Sequence, residues 1–432
     1  MSGARRWRAA GLAVATCLIL SACQGTSPDG DRVAAAEARK AADCAAAVDS
    51  LLVVTQGYLD GVGSTSASSG AAPSPSAGPS ADPEAEQKQF ARALQDIRGY
   101  ASRRGCDQEQ FQSELTEGLA ALSTGGPVAR AVLLQLQADT AAAPRPAGPL
   151  QPGDDVAAAV AAAASGATVQ LSAGTFELTD TLALLRGVTL RGAGREATVL
   201  QTRAAGGALL VLTADSVTLQ DLTVRRTGDG PGSVLSAAPV AALELTSVRV
   251  AGARADADGL GGVGILMSAG SGGQTGPTRR VSLRVTDSEI LDNAVAGVVI
   301  AGEHRAEIVR TAIERSGQCG VCYLDISDGQ VRDSRFTDNA AGIVAGGDAR
   351  PRIEASSVTG GEVGVQAIDR AAPDVTGSTV TAAARAAFVW TNSATGRLDG
   401  NRCVDVEFGI VAGPSSAPLL GENDCQVARG EQ

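Results

Sequence analysis

Two markers that recur every 22 or 23 residues across residues 283–425 predict an all-β parallel solenoid, or β-helix. One marker is a pair of apolar residues five positions apart, and the other is a small residue followed by an apolar one, as in Gly297-Val298. Segments rich in Val and Ile, separated by Gly, Asp, Asn and Ser, are typical of strands and turns rather than of helical or leucine-rich repeats. The apolar pairs are Val285 with Ile290, Ile308 with Ile313, Val331 with Phe336, Ile353 with Val358, Val375 with Val380, Leu398 with Cys403, and Leu420 with Cys425.

Each repeat is expected to form one coil of about three short strands, with the marker residues pointing inward. A single coil buries too little apolar surface to offset the entropy of ordering its backbone, so the coils must stack. The earlier coils have looser spacing, and their extra residues lie in loops 225–232, 251–262 and 268–280. Long excursions from a solenoid usually build its binding face.

A longer segment supports the same architecture. Residues 166–200 read GATVQLSAGTFELTDTLALLRGVTLRGAGREATVL. Together with the coils that follow, this segment resembles the first turns of right-handed β-helix proteins of the pectate lyase superfold, over roughly residues 154–425. The resemblance implies a right-handed coil but no single activity, because that superfold includes lyases, hydrolases, esterases, epimerases and binding scaffolds.

The first 22 residues have the pattern of an export signal, with three arginines ahead of an apolar run over residues 9–20. The run ends in Leu20-Ser21-Ala22-Cys23, which resembles the cleavage site of bacterial lipoproteins, so we expect Cys23 to be acylated. An ordinary signal peptide and a membrane helix are the alternatives, although the run is too short to span a bilayer. The expectation is an exported protein, anchored by lipid to the outer face of the cell membrane.

Charge and composition restrict the partners. Cleavage after residue 22 removes three arginines and changes the formal net charge from −11 to −11 − 3 = −14. An acidic chain argues against nucleic acid as a partner. Aromatic residues make up only 3% of the chain, too few for a broad stacking platform for bases or sugars.

Six cysteines remain once Cys17 has left with the signal and Cys23 is lipidated, which suggests three disulfides in an exported chain. Cys403 and Cys425 occupy the same place in consecutive coils, and stacked strands lie close enough for a disulfide. Cys44 and Cys106 are the pair that precedes the repeats. Cys319 and Cys322 form a C-x-x-C motif that enters a strand, where a structural bridge or two inert thiols is favoured over a redox site.

Helical spacing of apolar residues predicts three or four helices within residues 23–140, interrupted by a Ser, Ala, Gly and Pro tract at residues 64–83 that we expect to be disordered. Residues 141–153 read as a linker. The β-helix is assigned to residues 154–432, beginning with a short helix capped by Asp154 or Asp155 that covers the first coil.

Candidate ligand-facing residues lie in two groups. An outward column beside the first strand contains charged residues, and the turns after the third strand contain a second charged group. Either could contact a sugar chain or serve a lyase, and the alternative is a set of cross-strand ion pairs and solvated turn residues. The residues are Arg284, Arg332, Arg352, Asp374 and Arg397 in the columns, and Glu303, His304 and Arg305 in the turns.

Other chemistry has little support in the sequence. His304 is the only His, and residues 154–432 contain no Lys, so the Gly-His-Gly pattern of β-helix glycosidases and Lys-dependent lyases are both excluded. Asp256-Ala257-Asp258-Gly259 resembles part of a calcium loop but lacks further ligands, so we expect no metal and no cofactor, with Ca²⁺ at this loop as the alternative.

These observations favour an envelope-anchored β-helix that binds or presents a glycan or another surface ligand. The alternatives are a polysaccharide lyase or glycoside hydrolase of the same fold, and a structural or protein-interaction scaffold. An outward, largely apolar column on the third strand should be covered by the N-terminal helices or by an envelope protein. It contains Val299, Cys322, Val344, Gln366, Val389 and Val411.

Overall fold

The computed structural model of the chain describes residues 28–67, 83–141, 148–204, 206–211, 216–237, 242–267 and 281–429. The expected signal peptide, the acylation site Cys23, loop 268–280 and most of the tract at residues 64–83 therefore lie outside the described residues. The described part contains a helical region followed by a β-solenoid. None of its helices is long and apolar enough to cross a membrane.

Five helices precede the strands, which agrees with the predicted helical region. Asp107 caps α3 and Asp155 caps α5, because each carboxylate accepts a backbone N–H of the first turn. The helices are α1 (Pro28–Ala67), α2 (Pro83–Arg103), α3 (Gln108–Ala120), α4 (Pro127–Ala141) and α5 (Val156–Ala162).

All strands pair in parallel along the solenoid, in one sheet of 19 strands and one of 11 strands. The larger sheet contains β1 (Thr168–Gln170), β2 (Gly174–Leu178), β4 (Thr189–Arg191), β5 (Thr198–Thr202), β7 (Ser216–Arg226), β9 (Ala242–Ala251), β11 (Ser282–Thr286), β12 (Glu289–Leu291), β14 (Arg305–Val309), β15 (Ala312–Glu314), β17 (Asp328–Arg332), β18 (Arg335–Thr337), β20 (Arg350–Glu354), β21 (Ser357–Thr359), β23 (Asp374–Thr376), β24 (Thr379–Thr381), β26 (Arg397–Asp399), β27 (Arg402–Val404) and β29 (Leu419–Leu420). The smaller sheet contains β3 (Leu182–Leu184), β6 (Leu209–Val211), β8 (Leu235–Ala237), β10 (Val263–Met267), β13 (Ala296–Ile300), β16 (Cys319–Tyr323), β19 (Ala341–Ala345), β22 (Val363–Ala367), β25 (Ala386–Trp390), β28 (Phe408–Ala412) and β30 (Val427–Arg429).

The predicted register is confirmed. Val285 pairs with Ile308 and Ile290 with Ile313, one coil further on, and all four side chains are buried. The same pairing continues through Val331, and the inward columns form one apolar core that runs the length of the solenoid. Each coil therefore shares its buried surface with its two neighbours, as the need to stack requires.

The corners between strands use left-handed backbone conformations at non-glycine residues. Asp287, Arg310 and Asp333 occupy equivalent corners of consecutive coils, each with a φ near +50°. Eight of the fourteen non-glycine residues with positive φ in the described chain are Asp, which tolerates this conformation because its side chain bonds to nearby backbone. Asp at a fixed place in the repeat is thus a sequence signal for the corners.

A buried ladder of polar side chains satisfies backbone groups next to these corners. Ser334 N–H donates to Ser356 Oγ at 3.2 Å, Ser356 N–H to Ser378 Oγ at 3.2 Å, and Ser378 N–H to Asn401 Oδ1 at 3.0 Å. All four side chains are buried. Each coil thereby supplies an acceptor for an amide that the sheets leave unpaired.

The helical region packs against the first coil of the solenoid. Helix α4 contacts α5 and β3, and Arg186 Nη2 pairs with Asp139 Oδ2 at 3.1 Å. Two predicted boundaries differ from those in the structure. Helix α1 continues to Ala67, and Leu150 is buried and pairs with Leu171, so the end of the linker already belongs to the first coil.

Both predicted disulfides are present. Cys44 is bonded to Cys106, which ties α1 to the end of α2, and Cys403 is bonded to Cys425 across consecutive coils. Cys319 is bonded to Cys322, so the structural-bridge interpretation of the C-x-x-C motif holds.

We predict that Ser356→Ala lowers the free energy of unfolding by about 1–3 kcal/mol, because the buried Ser334 N–H loses its acceptor. Urea unfolding of the wild-type and variant proteins measures the difference. Ser357→Ala is the matched control, since Ser357 faces outward on β21 and should change stability by less than about 0.5 kcal/mol. Equal effects of the two substitutions would contradict the role of the ladder.

We also predict that non-reducing peptide mapping of the exported protein links the Cys403 peptide to the Cys425 peptide and the Cys44 peptide to the Cys106 peptide. The 22-residue spacing of Cys403 and Cys425 requires the coil register described above. Free thiols at Cys403 and Cys425 in oxidised protein would show that the last coils stack in another register.

Candidate ligand-binding face

One outer face of the larger sheet, the charged face, consists of the outward side chains of β11, β14, β17, β20, β23 and β26. Alternation along each strand sends every second residue outward, and parallel pairing places equivalent residues about 4.8 Å apart. The central column is in the predicted order, and Asp374 lies between Arg352 and Arg397 as expected. Its members are Arg284, Glu307, Gln330, Arg352, Asp374 and Arg397.

Several candidate arginines of this face form ion pairs. Arg284 pairs with Glu307 one coil away at 2.9 Å, and Arg305 approaches the same carboxylate at 3.6 Å. Arg332 pairs instead with Asp333 at 2.8 Å, and Arg397 pairs with Asp399 at 2.5 Å, each within its own coil. These contacts match the ion-pair alternative for part of the face, and solvent exposure keeps each of them weak.

Strand β20 differs from its neighbours. Arg350 and Arg352 are both exposed, and no other described side chain forms an ion pair or hydrogen bond with either guanidinium. They are two positions apart on one strand and therefore point from the same side of the sheet. Asp374 stacks beside Arg352, and its Oδ1 atom is buried without a hydrogen-bond partner among the described residues. The centre of the charged face thus combines two accessible cations with a carboxylate.

The prediction that His304 faces a ligand is wrong. Its side chain is fully buried, and its Nδ1 accepts the Val281 N–H at 3.4 Å. His304 lies at a corner whose side chain turns into the solenoid, whereas the flanking Glu303 and Arg305 are exposed. The turn therefore offers two of the three predicted groups to solvent.

Ion pairs at the corners dominate the electrostatics of the solenoid. Arg310 holds Asp287 through two 2.8 Å hydrogen bonds, and Arg315 holds Asp292 through bonds of 2.6 Å and 3.2 Å. The arginine partners lower the pKa of both carboxyls below the ordinary value. Asp399 has a pKa lowered in the same way by Arg397. A carboxylate held ionised in this way is unsuited to act as a general acid, which requires a raised pKa.

The apolar column on the smaller sheet begins under the helices and then emerges from them. Ala183 on β3 is the first residue of this column, and it lies beside α4. The strand register connects it to Leu266, then to Val299 and then to Cys322 in later coils. Val299 and Val344 remain partly exposed. The prediction that the helices cover this face is therefore wrong beyond the first coils, because α4 packs across the end of the solenoid. Coverage by an envelope protein stays a prediction.

The remaining candidate sites are occupied by local structure. Asp256 Oδ1 accepts the N–H groups of Asp258 and Leu260, so the fragment that resembles a calcium loop is the tip of a hairpin. No group of three or more His, Cys, Asp or Glu in the described part of the chain could hold a metal. A cleft of about 240 Å³ lies between α4, α5 and the turn after β2, where Arg130 donates to Thr179 Oγ1 at 3.2 Å.

The comparisons with known proteins agree with the architecture. Residues 263–424 match the family model described as "Right handed beta helix region", and the fold is a right-handed parallel β-helix. No curated protein sequence matches the chain.

Three solved structures illustrate the range of similar folds. Tailspike protein 2 from Escherichia coli O157:H7 bacteriophage CAB120 is 12% identical, with a TM-score of 0.44, over 62% of this chain and 42% of the tailspike, so the chain spans less than half of that protein. Pectate lyase Pel9A is 12% identical, with a TM-score of 0.37, over 64% of this chain and 73% of the lyase. The GH87 alpha-1,3-glucanase from Streptomyces thermodiastaticus strain HF3-3 is 14% identical, with a TM-score of 0.32, over 67% and 71% of the two chains. At these identities the similarity concerns the fold alone.

We predict that the double variant Asp287→Asn, Asp292→Asn is less stable than the wild type at pH 7, by about 1 kcal/mol for two exposed pairs. Because the folded-state pKa values are lowered, this stabilisation is complete above the unfolded-state pKa near 4 and is lost as the pH falls through the folded-state values. Urea unfolding at pH 7 and near pH 2 measures the change.

Asp258→Asn is the control for this experiment, because Asp258 is exposed at the hairpin tip and forms no ion pair within the described residues. Its effect on the free energy of unfolding at pH 7 should be small. A difference between the double variant and the wild type that persists unchanged in acid would show that the arginine pairs are not its cause.

Proposed function

We propose that the protein is an exported lipoprotein, held to the membrane through acylated Cys23, whose β-helix binds a polysaccharide along the charged face. The observation that carries this proposal is the pair Arg350 and Arg352, two exposed guanidinium groups at the centre of the sheet that form no ion pair or hydrogen bond with another described side chain. Most other arginines of that face pair with carboxylates of the protein. Two exposed cations that are not engaged by described carboxylates are the feature that a folding role explains least.

The shape of the face fits a linear ligand. Five coil-to-coil steps separate Arg284 from Arg397, about 24 Å at the usual strand spacing. Guanidinium, carboxamide and carboxylate groups alternate along this distance, and all three hydrogen-bond to sugar hydroxyls. Because the strands fix the backbone that carries these groups, binding orders side chains but no loop. A chain of several sugar residues could contact successive coils at once.

Carboxylates and arginines alternate on this face, which disfavours a nucleic-acid ligand, since a phosphate backbone requires a stripe of one charge sign. The Arg-rich centre favours a polysaccharide that carries acidic groups or many hydroxyls. Membrane attachment would place the face where envelope glycans are concentrated. The helical region would then separate the solenoid from the lipid.

Binding is favoured over catalysis by the chemistry of the exposed groups. The only imidazole of the chain is buried, and the carboxylates whose pKa values are shifted are kept ionised by arginine partners. A lyase is the second candidate, because the Asp374 carboxylate could accept the proton from the carbon beside a substrate acid while Arg350 and Arg352 neutralise that acid. The electron pair left on carbon would form a C=C bond as the glycosidic C–O bond breaks, and the sugar oxygen would leave and take a proton from water. Replacement of the Asp374 carboxylate distinguishes a binding function from a lyase function.

The test is binding of the mature protein to a panel of envelope polysaccharides, measured by affinity electrophoresis. Arg350→Ala with Arg352→Ala should weaken binding at least tenfold, because each lost charge-assisted hydrogen bond contributes about 1.5–3 kcal/mol. Arg385→Ala is the matched control, since Arg385 is similarly exposed but pairs with Glu362 at a different corner. Binding that is unchanged in the double variant and in the control would reject the charged face as the ligand site.

A second experiment tests for catalysis. The same polysaccharides are incubated with wild-type protein or without protein, and ultraviolet absorbance measures any unsaturated sugar product. We expect none, and we expect Asp374→Asn to retain binding. Product formation that disappears in Asp374→Asn would establish the lyase function instead.

A further inference from the structure

A second concentration of positive charge lies away from the charged face, at the corner after β7. Arg226 ends this strand, and its side chain is only 4% exposed. Its guanidinium donates to three backbone carbonyls, those of Gly232 at 3.1 Å, Ala204 at 2.9 Å and Gly230 at 2.9 Å. No described carboxylate forms an ion pair with it. Within the described structure, Arg226 is therefore a buried cation stabilised by the dipoles of three backbone carbonyls.

The electrostatic environment of Arg226 is unfavourable to its charge. Burial lowers the pKa of the guanidinium, and the charge of Arg254 lowers it further. Its Nε atom is also buried and has no hydrogen-bond partner in the described structure. Burying a cation without a counter-charge costs several kcal/mol even after relaxation. Natural sequences rarely retain such a group unless something else compensates for the charge.

Arg254 lies at the same corner one coil further on. The Gly232 carbonyl that accepts from Arg226 Nη1 also accepts the Arg254 backbone N–H, at 3.1 Å in both cases. The Arg254 backbone is therefore linked to the buried guanidinium through one shared carbonyl oxygen. The side chain of Arg254 is exposed to solvent, whereas that of Arg226 is buried.

Glycines allow the loops to pack this closely. A Cβ atom at Gly232 would lie 3.2 Å from Cζ of Arg226, and one at Gly261 would lie 2.6 Å from the Gly232 nitrogen. Gly261 also has a φ of +82°, which disfavours other residues. Gly232 thus leaves room for the guanidinium, and Gly261 allows the loops at residues 225–232 and 251–262 to approach each other.

We propose that this basic corner, defined by Arg226, Arg254 and the two loops at residues 225–232 and 251–262, is an anion-binding site for a carboxylate, sulfate or phosphate group. Arg254 contacts the anion with its planar fork of donors, which matches the geometry of these oxyanions. Arg226 contributes its field from within, where the low dielectric makes a charge act more strongly. The bound anion supplies a counter-charge to Arg226, with which no described carboxylate forms an ion pair. The site does not depend on the proposed glycan function of the charged face.

The experiment is isothermal titration calorimetry of the mature protein with sodium sulfate and with a short hexuronate oligosaccharide, in chloride buffer of constant ionic strength. Wild type should give saturable binding to at least one probe. Arg254→Gln should weaken that binding at least tenfold. Arg335→Gln is the matched control, because Arg335 is an exposed arginine on β18, away from the two loops, and should leave the affinity unchanged.

Two results identify the source of the anion, and both support the site. Equal affinity for sulfate and hexuronate indicates a free inorganic anion, and tighter binding of the oligosaccharide indicates an acid group on a sugar chain. The absence of saturable binding of either probe to wild type, or equal binding by Arg254→Gln, would overturn the proposal and leave Arg226 as a loop clamp. Arg350→Ala with Arg352→Ala should not affect binding here, which separates this site from the charged face.

Discussion

Backbone hydrogen bonds between successive coils hold the solenoid together and set the position of every side chain in it. Every strand pairs only with equivalent strands of the neighbouring coils, so a residue's environment is set by residues about 22 positions before and after it. Apolar residues must stack on apolar residues, and a corner must lie above a corner. A substitution at one position therefore changes the packing of the equivalent residues in both neighbouring coils.

The corners show how this constraint selects residue types. A left-handed backbone conformation recurs at equivalent corners of the coils. Asp adopts it at a lower conformational free-energy cost than most other residues. Once Asp occupies a corner, an Arg in the next coil can neutralise it, as Arg310 does for Asp287 and Arg315 for Asp292. The buried Ser and Asn ladder is a second consequence, since it supplies acceptors to amides next to those corners.

The same repetition turns single residues into columns, and columns define what each face can bind. On the charged face most arginines are used by the protein, whereas Arg350 and Arg352 remain available at its centre. The basic corner arises where the repetition fails, because the early coils carry loops of unequal length that enclose Arg226. Regular coils provide an extended surface, and irregular ones provide an enclosed site.

The fold class, the coil register, the Cys403–Cys425 disulfide and the order of the charged column could all be predicted from the repeat, because a fixed period specifies which residues stack. Which side chains are available to a ligand could not. His304 turns inward at its corner, Arg352 forms no ion pair with a described side chain while Arg284 does, and α4 covers only the first coils of the apolar column. These outcomes depend on backbone direction at the corners and on loop packing between coils of different length. Neither is encoded in the repeat period, since both arise from contacts between segments that the period leaves unspecified.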